Sequence, residues 1–372
     1  MNHTEVQRIE ANDKPGLRRF ISFEKSVHKE NRWFVPEIDA DVNNCLSGRS
    51  SYYDEMEYKI FIATCDDKDA SRCTALINRR YQEAKGEAIG FIGHFAAAPD
   101  RDSQVREMIG QAETWLKERG VTRIVAPYNG AGILGMGLLT AAFDEAPMFP
   151  FNWHPPYYNT YLTESGYQPT YPLWHYTIDF TSDKYQAVKQ RTLKNHNVVV
   201  RPINKKLWNQ DLETYRQLFN AAFIDEWEFH PLTSDEFHEF FDPMKPVLEA
   251  EQMLIGEVEG NAAGFCLGQP DWSPLFRSFK GKMGPIQIFR LLFSANRYRR
   301  AGLLGIGVLP DYRGSGLAQS LAVKLYKRYE NHGLKQAFYY PVNDDNTRSR
   351  KFAESMGGTG RIIYHCYDKQ IS

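Results

Sequence analysis

A glycine-rich turn between a predicted strand and a predicted helix is the part of the sequence best suited to chemistry. The strand ends near Pro310, the turn reads Arg313-Gly314-Ser315-Gly316, and the helix begins at Leu317. Amides at the start of a helix point outward with partial positive charge, and glycines let an anion approach the backbone closely. Because Arg313 adds a full positive charge, the turn predicts a binding site for a polyphosphate.

The spacing of Arg313, Gly316 and Ala318 resembles the motif Gln/Arg-x-x-Gly-x-Gly/Ala of the GNAT family of N-acyltransferases, whose loop holds the pyrophosphate of coenzyme A. A strand ending at Asn343 and a helix beginning at Asn346 follow, and in that family an Asn begins the helix beside the pantetheine arm. The resemblance covers roughly residues 198 to 367 and implies acetyl-CoA or coenzyme A as the cofactor. The residues that it implies in coenzyme A binding are Ile306, Gly307, Val308, Arg313, Gly314, Ser315, Gly316, Leu317, Ala318, Asn343 and Asn346.

The reaction that the resemblance implies is attack of an amine on the thioester carbonyl in a ternary complex. The protein would then be an N-acetyltransferase with a small-molecule or peptide amine as acceptor. GNAT enzymes often carry a Tyr proton donor seven residues after the Asn, but Ala353 stands there. By strand placement, the nearest substitutes are Tyr339, Tyr340, Tyr364 and Tyr367. The candidates for the base that deprotonates the amine are Glu226, Glu257 and His230.

Two further groups of side chains lie near the predicted site along the chain. Phe223, Trp227 and Phe229 follow the first helix of this segment, where GNAT folds usually cover the acceptor, and they either wall that site or belong to the core. The arginines of an insertion between strands either meet an anionic group or form a solvated face. These arginines are Arg290, Arg297, Arg299 and Arg300.

The order of predicted elements repeats along the chain. Each half reads as a strand and a helix, then a hairpin, then a strand, a helix and a strand. We therefore expect a mixed α/β sheet in two tandem GNAT-like domains, residues 1–180 and 181–372, with a polar helix over residues 182–195 at the start of the second. The first copy has Ala96-Ala97-Ala98-Pro99-Asp100 in place of the phosphate turn, so we expect it to bind no coenzyme A.

Residues 130–135 form a second glycine-rich segment that matches the dinucleotide-binding pattern Gly-x-Gly-x-x-Gly. An NAD-dependent oxidoreductase is therefore an alternative, although Pro127 interrupts the preceding strand. A noncatalytic acyl-CoA-binding module is another, because Ala353 replaces the usual proton donor. After the glycines we expect a short helix reaching about Phe143 and an ordered loop over residues 147–161.

Charge and composition restrict the classes of partner. The chain has 45 Lys and Arg against 46 Asp and Glu, so no net field favours nucleic acid or an anionic membrane. The five cysteines show no spacing typical of metal ligands or redox pairs, which favours a reducing cytoplasm and no metal site. The amino terminus does not read as a signal peptide, and no apolar run is long enough to span a bilayer. We expect a cytoplasmic protein with no nucleic-acid or membrane partner, and its oligomeric state stays open.

Overall fold

The computed structural model describes residues 3–192, 197–227 and 229–371, apart from the side chain of Ile362. These residues form two compact units. The first unit comprises Met1–Pro172, Ser273–Ile288 and Tyr364–Ser372, and the second comprises Leu173–Trp272 and Phe289–Ile363. Each unit therefore draws on more than one stretch of the chain, and the two do not correspond to a single division at residue 180.

The first unit is built on a sheet with one long helix on its face. Its elements are β1 (Thr4–Ile9), α1 (Lys14–Val27), α2 (Asp39–Leu46), β2 (Met56–Cys65), β3 (Lys68–Asn78), α3 (Arg79–Lys85), β4 (Ile89–Ala97), α4 (Asp102–Lys117), β5 (Arg123–Ala126), β6 (Leu138–Leu139) and α5 (Tyr157–Glu164). Strands β1 to β4 pair antiparallel in chain order, and β5 pairs in parallel with β4. Val105, Met108 and Ala112 of α4 lie in the core of this unit.

The chain continues into the second unit with a similar arrangement. The elements that follow along the chain are β7 (Gln168–Asp179), α6 (Asp183–Thr192), β8 (Val198–Pro202), α7 (Trp208–Phe223), α8 (Ser234–Phe241), β9 (Met253–Val258), β10 (Asn261–Pro270), α9 (Ser273–Phe279), α10 (Pro285–Ser294), β11 (Ala301–Val308), α11 (Leu317–Asn331), β12 (Gln336–Asn343), α12 (Thr347–Ser355) and β13 (Thr359–Gln370). The strand order of this unit is β7-β12-β11-β10-β9-β8, in which only β11 and β12 pair in parallel.

Each unit is completed by a strand that comes from the other sequence repeat. In the first unit, β5 pairs antiparallel with the end of β13, from Tyr367 to Gln370. In the second unit, β12 pairs antiparallel with β7. Helix α9 also belongs to the first unit, where Phe276 stacks on Phe149 at 5.1 Å between ring centroids. The mixed α/β class and the repeated order of elements are confirmed, and the exchange of last strands is added by the structure.

Helix α11 lies close to its sheet because the strands beneath it carry glycines. A Cβ at Gly256 would come within 2.6 Å of the Leu317 side chain, and one at Gly268 within 2.5 Å of Leu325. Leu317, Leu321 and Leu325 are at most 1% exposed, as the single apolar face of this helix predicts. Truncating one such leucine to Ala typically costs about 2–5 kcal/mol. The start of α11 is therefore held firmly against the sheet.

Two local expectations are corrected, and a third is observed over its described part. The short helix expected to reach Phe143 does not occur in the described residues, because residues 132–134 form a 3-10 turn and β6 follows. Gly130, Gly135 and Gly137 have φ of 92°, 112° and 77°, which interrupts any right-handed helix. The stretch expected to be a loop holds α5, which begins at Tyr157. The helix expected over residues 182–195 is observed as Asp183–Thr192, and residues 193–195 lie outside the described residues.

Each unit buries a histidine. His28 is 3% exposed and its Nε2 lies 2.9 Å from the Tyr158 hydroxyl, and His175 on β7 is 4% exposed. Burial lowers the pKa of each imidazole to about 3, and positive charge nearby acts in the same direction. Both rings are therefore neutral in the folded protein at pH values where an exposed histidine takes up a proton.

We expect the protein to lose stability as the pH falls below about 6.5, the pKa of an unfolded histidine. Between that value and about 3, the unfolded chain binds a proton that the folded state does not, so each buried histidine contributes a slope of up to about 1.4 kcal/mol per pH unit. Urea unfolding near pH 7 and pH 5 measures it. The slope should shrink in His28→Phe and His175→Phe.

The comparison with these variants is needed because burial also raises the pKa of Glu24, to about 7. A raised carboxyl pKa has the opposite sign: its contribution is lost as the pH rises from the unfolded value to the folded one. The pH slope of the variant, subtracted from that of the wild type, leaves the contribution of the substituted histidine. Equal slopes in wild type and variant would contradict the assignment.

Candidate functional site

The predicted phosphate turn lies at the start of α11. Gly314 and Gly316 have φ of 85° and 81°, and Gly316 is the N-cap of the helix without a side-chain cap. A residue with a Cβ is strained at these angles, which explains the two glycines. Arg313 is exposed, and its side chain makes no hydrogen bond or ion pair with the described residues. The Arg313 guanidinium and the amides of the first helical turn beyond Leu317 are therefore available to an anion.

The remaining residues of this turn shape it rather than add charge. The Ser315 hydroxyl donates to the Tyr312 carbonyl at 2.7 Å and accepts from the Leu317 amide at 3.3 Å. Leu317 is 1% exposed, so its side chain belongs to the core. Ala318 is half-buried and leaves room beside the helix axis. Of the predicted set, the main chain and Arg313 are thus the parts that can hold a phosphate.

Strand β11 leaves its parallel neighbour after two residue pairs. Among the described residues, β11 and β12 pair only at Gly302–Phe338 and Leu303–Tyr339, whereas β11 pairs with β10 as far as Val308. Unpaired main-chain groups in a sheet require another hydrogen-bond partner. Residues 304–308 therefore offer an edge to which an extended ligand arm with amide groups can add. The predicted contacts at Ile306, Gly307 and Val308 belong to this edge.

The start of α12 brings together two predicted residues that are 120 positions apart. Asn346 is the N-cap of α12, and its Oδ1 accepts from the Ser349 amide at 2.9 Å. Its Nδ2 donates to Glu226 Oε1 at 2.6 Å. Asn346 therefore caps the helix and also holds a carboxylate that follows α7. We call Glu226, Tyr339, Asn346 and Ser349 the Glu226–Asn346 cluster.

Tyr339 is the candidate tyrosine that joins this cluster. Burial raises the pKa of its hydroxyl, a hydrogen bond with Ser349 lowers it in part, and the charge of Glu226 raises it. Its ring meets Phe352 edge-on, with centroids 5.4 Å apart. Its hydroxyl is protonated at neutral pH and lies in the same cluster as Glu226, which makes Tyr339 the candidate proton donor of this cluster.

The other candidate tyrosines are engaged elsewhere. Tyr340 follows Tyr339 on β12 and so faces the opposite side of the sheet, where it lies against His175 with ring centroids 4.9 Å apart. Tyr364 and Tyr367 belong to the first unit. Their hydroxyls donate to the Asn152 carbonyl at 2.7 Å and to Asn159 Oδ1 at 2.6 Å. These bonds favour a structural role for both residues.

Glu257 takes part in an ion-pair network at the edge of the second unit's sheet. Arg201 Nε donates to Glu257 at 2.8 Å, and the other guanidinium nitrogens donate to Asp211 at 2.8 and 3.0 Å. The network ties β8 to α7 and favours a structural role for Glu257. His230 is 2% exposed, and Asn343 is 4% exposed with its Oδ1 accepting from the Asp345 amide at 3.3 Å. Both side chains are turned into the protein.

Aromatic rings line the part of β11 that faces α7. The rings of Phe219, Phe223, Phe229 and Phe265 lie with centroids 4.9 to 6.0 Å apart. A Cβ at Gly307 would come within 2.5 Å of the Ala222 Cβ, so this glycine lets α7 approach the strand. Phe219 and Phe223 are only half-buried. An apolar surface therefore borders the strand edge.

Tyrosines occupy the corresponding place in the first unit, between β4 and α4. The Ala97 amide donates to the Tyr158 hydroxyl at 3.0 Å, and the Arg101 amide donates to the Tyr161 hydroxyl at 2.9 Å. Asp102 adds a negative charge to the first turn of α4, whereas the first turn of α11 has no acidic residue. Both features disfavour a phosphate at this helix start.

A buried ion cluster in the first unit contains none of the predicted site residues. Arg72 is 1% exposed, and it pairs with Glu24 at 2.6 Å and lies 3.7 Å from Glu37. Glu37 in turn lies 3.8 Å from His94 Nδ1, and His94 Nε2 lies 3.3 Å from the Tyr53 hydroxyl. These residues are scattered over α1, β3, β4 and the segment between α1 and β2 without a recognisable spacing, so no sequence signal points to them.

The Gly130–Gly135 segment supports this ion cluster. Asn129 accepts from the His94 amide at 2.8 Å and donates to the Leu134 carbonyl at 3.0 Å, which holds His94 at a φ of 47°. A non-glycine residue at such an angle is typical of a functional or strained position. A dinucleotide fold needs a helix N-terminus directly after the glycines, but a 3-10 turn and β6 follow instead. The NAD-dependent alternative therefore lacks its binding geometry.

The described residues contain no group of three or more His, Cys, Asp or Glu side chains that could hold a metal ion. All five cysteines are buried thiols outside any disulfide, and burial raises the pKa of the Cys73 and Cys266 thiols. A thiol that stays protonated is a poor nucleophile. Among the described residues, the groups suited to chemistry are thus the phosphate turn, the strand edge and the Glu226–Asn346 cluster.

Comparison with known proteins finds a family match for the segment that contains these three features. Residues 212–358 match the model of the acetyltransferase (GNAT) family. Over 373 residues the chain is 26% identical to a bacterial ceramide synthase of Caulobacter vibrioides, with 95% of each chain covered. It is 25% identical over 374 residues to Protein YghO of Escherichia coli, with 96% of this chain and 94% of that protein covered.

A solved structure extends the likeness to the whole fold. The tandem GNAT protein from the clavulanic acid biosynthesis pathway matches with a TM-score of 0.57 over 99% of this chain and 98% of that chain. At 10% identity, this match concerns the fold alone. The family match contains the phosphate turn, the strand edge and the Glu226–Asn346 cluster. Residues 212–358 therefore match the GNAT family of acetyltransferases, and the chain as a whole has the fold of a tandem GNAT protein.

Proposed function

We propose that this protein transfers an acyl group from an acyl-CoA to the amine of a lipid-like acceptor. The observation that carries the proposal is the open start of α11 with Arg313 on the same chain segment as the unpaired edge at residues 304–308. A pyrophosphate fits the first feature and the amide groups of a pantetheine arm fit the second. Domains 1–180 and 181–372 would then differ in role, with coenzyme A bound only by the second.

The class of acceptor is proposed from the relative that is a ceramide synthase. A ceramide is an amide between a fatty acid and a long-chain amino alcohol, so an acceptor of this class has an amine next to a long apolar chain. The half-buried rings of Phe219 and Phe223 beside β11 supply apolar surface for such a chain or for a fatty acyl group. A fatty acyl-CoA is therefore our preferred donor, and acetyl-CoA stays a prediction from the family resemblance.

The chemistry assigns one task to each residue. Glu226 accepts the proton that the acceptor amine loses, and Asn346 holds the Glu226 carboxylate for this step. The amine nitrogen bonds to the thioester carbonyl carbon, and main-chain amides of residues 304–308 donate to the oxygen that becomes negative. When the carbon–sulfur bond breaks, Tyr339 gives its proton to the departing thiolate. The products are an amide and free coenzyme A.

Release of free thiol from acyl-CoAs of increasing chain length tests the proposal. Each donor is paired with a long-chain amino alcohol, a polyamine and an amino acid, and mass spectrometry identifies the amide. We expect turnover with a long-chain donor and the amino alcohol. Faster turnover with acetyl-CoA and a polar amine would contradict the lipid-like acceptor. Tight binding of coenzyme A without turnover on any amine would favour the noncatalytic acyl-CoA-binding alternative.

A further inference from the structure

Helix α10 exposes large apolar side chains to solvent. Ile286, Phe289 and Phe293 are 72%, 61% and 64% exposed, and Ile288 and Leu292 are close to half exposed. None of the described residues of this helix is fully buried. Elsewhere in the described chain, the exposed large apolar residues are Val199, Leu207 and Ile224, each on a different segment. The helix therefore carries a group of exposed apolar side chains, and apolar patches on a protein surface often mark interaction sites.

The apolar side chains lie on the outward side of this helix. At about 100° per residue, the five exposed apolar positions fall within one side of the helix. The half-buried positions Gln287, Leu291 and Ser294 fall on the other side. A helix on the surface of a globular protein normally buries its apolar side and exposes its polar side. In α10 this arrangement is largely reversed, so its outward face needs an apolar partner.

The chain around α10 is strongly basic. Between Asp271 and Asp311 there is no acidic residue, and seven basic residues occur: Arg277, Lys280, Lys282, Arg290, Arg297, Arg299 and Arg300. Lys280, Lys282, Arg290, Arg297 and Arg299 are exposed. The near-equal totals of acidic and basic residues in the whole chain conceal this local excess. The partner of α10 must therefore combine apolar material with negative charge.

We propose that α10 docks on the surface of an anionic phospholipid bilayer. Its isoleucines, leucine and phenylalanines would enter the boundary between head groups and acyl chains, and the basic residues would pair with lipid phosphates. No helix in the described part of the chain is long and apolar enough to cross a membrane, so α10 would lie in the plane of the surface. A second copy of this chain fits less well, because it would bring like charges together.

This inference goes beyond the proposed function and does not depend on acyl transfer. It differs from the expectation of no membrane partner, which rests on the net charge of the whole chain and on the lack of an apolar run long enough to span a bilayer. Only residues 295–300 separate α10 from β11, the strand that contains the unpaired edge at residues 304–308. If both proposals hold, docking brings the enzyme to a bilayer that can contain its acceptor. Vesicle binding is measured without either substrate, so its failure and the failure of acyl transfer are distinguishable.

Co-sedimentation of the full-length protein with vesicles tests the docking. Vesicles of phosphatidylcholine alone are compared with vesicles that also contain phosphatidylglycerol, at low and high salt. We expect binding to the anionic vesicles that weakens with salt. Phe289→Ser with Phe293→Ser should weaken it by about tenfold or more, since two exposed rings are lost from the lipid contact. Lys280→Glu with Lys282→Glu should remove most of the preference for anionic lipid.

The matched control is Val199→Ser with Leu207→Ser, which removes two exposed apolar side chains outside α10 and should bind vesicles like the wild type. Unchanged melting temperatures establish that each variant is folded. Absence of wild-type binding to anionic vesicles, or equal binding by the α10 variant, would overturn the proposal. A third result would also overturn it: a wild type that does not bind vesicles but forms a dimer in sedimentation velocity, with the dimer lost in Phe289→Ser/Phe293→Ser. Helix α10 would then be an interface between two copies of the chain.

Discussion

The Arg313→Glu variant is expected to bind coenzyme A about 100-fold more weakly than the wild type while its melting temperature stays unchanged. Removing a charge-assisted hydrogen bond and placing a negative charge beside the phosphates costs about 3 kcal/mol, which corresponds to about 100-fold in Kd. The fold should persist because Arg313 is exposed and its side chain has no partner among the described residues. Isothermal titration calorimetry with coenzyme A measures the change.

Lys327→Glu is the control for this prediction. Lys327 is exposed on the same helix, ten residues beyond Leu317 and so about 15 Å along the helix axis. The substitution makes the same change from positive to negative charge at a distance beyond the ordinary screening length. We expect its Kd for coenzyme A to equal that of the wild type. Equal affinity in Arg313→Glu as well would remove the phosphate site from this turn.

The Glu226→Gln variant is expected to lose about 10²- to 10⁴-fold in kcat, the range typical for loss of a general base, with little change in Kd for coenzyme A. Its readout is the pH profile of kcat/KM with the acceptor that gives turnover. The acidic limb that reports ionisation of the base should disappear in the variant. An unchanged profile with unchanged kcat would show that another group accepts the proton.

Asn346 allows positioning to be separated from helix capping. Asn346→Ser keeps a residue that caps well but removes the amide that donates to Glu226, whereas Asn346→Ala removes both. We expect both variants to lower kcat, and only Asn346→Ala to lose about 1 kcal/mol of stability. Normal kcat in Asn346→Ser would leave Asn346 with the capping role alone.

Glu257→Gln is the control for the choice of carboxylate. Glu257 pairs with Arg201, so the variant should keep its kcat and lose only the modest stability that a partly exposed ion pair contributes. A large loss of kcat in this variant, together with normal kcat in Glu226→Gln, would reverse the assignment of the base. The two substitutions are isosteric and differ only in which carboxylate is removed.

The first unit is more than a copy that has lost its phosphate turn. It retains a buried Arg72 between Glu24 and Glu37, and a strained His94 that the Gly130–Gly135 segment holds in place. A buried charge without a partner is costly, so these residues must be kept together as a set. The glycines that resemble a dinucleotide motif thus have a local structural role.

Local patterns in the sequence determined the phosphate turn and the faces of the main helices. The glycines of the turn occupy left-handed angles and α11 begins directly after them. The apolar spacing of Leu317, Leu321 and Leu325 correctly indicated the buried face of α11. These properties depend on residues within about one or two helical turns of each other, so they can be read without knowledge of the tertiary structure.

Only the tertiary structure decided which distant groups meet. Glu226 and Asn346 are 120 residues apart, and Arg72 and Glu24 are 48 apart. The choice of Tyr339 over Tyr340 depends on the register of one strand, because neighbouring residues of a strand face opposite sides of the sheet. The exchange of β7 and β13 between the units depends on strand pairing at long range, for which the sequence carries no local signal.

Helix α10 shows both contributions in one element. Its apolar and basic residues stand in the sequence, and their excess over acidic residues is visible there. Which side of the helix faces solvent was decided by packing, because Gln287, Leu291 and Ser294 face the protein and the phenylalanines do not. The sequence by itself therefore determined the chemistry of the segment and its helical length. The fold determined that its apolar face points outward, since burial is a property of the whole packed chain.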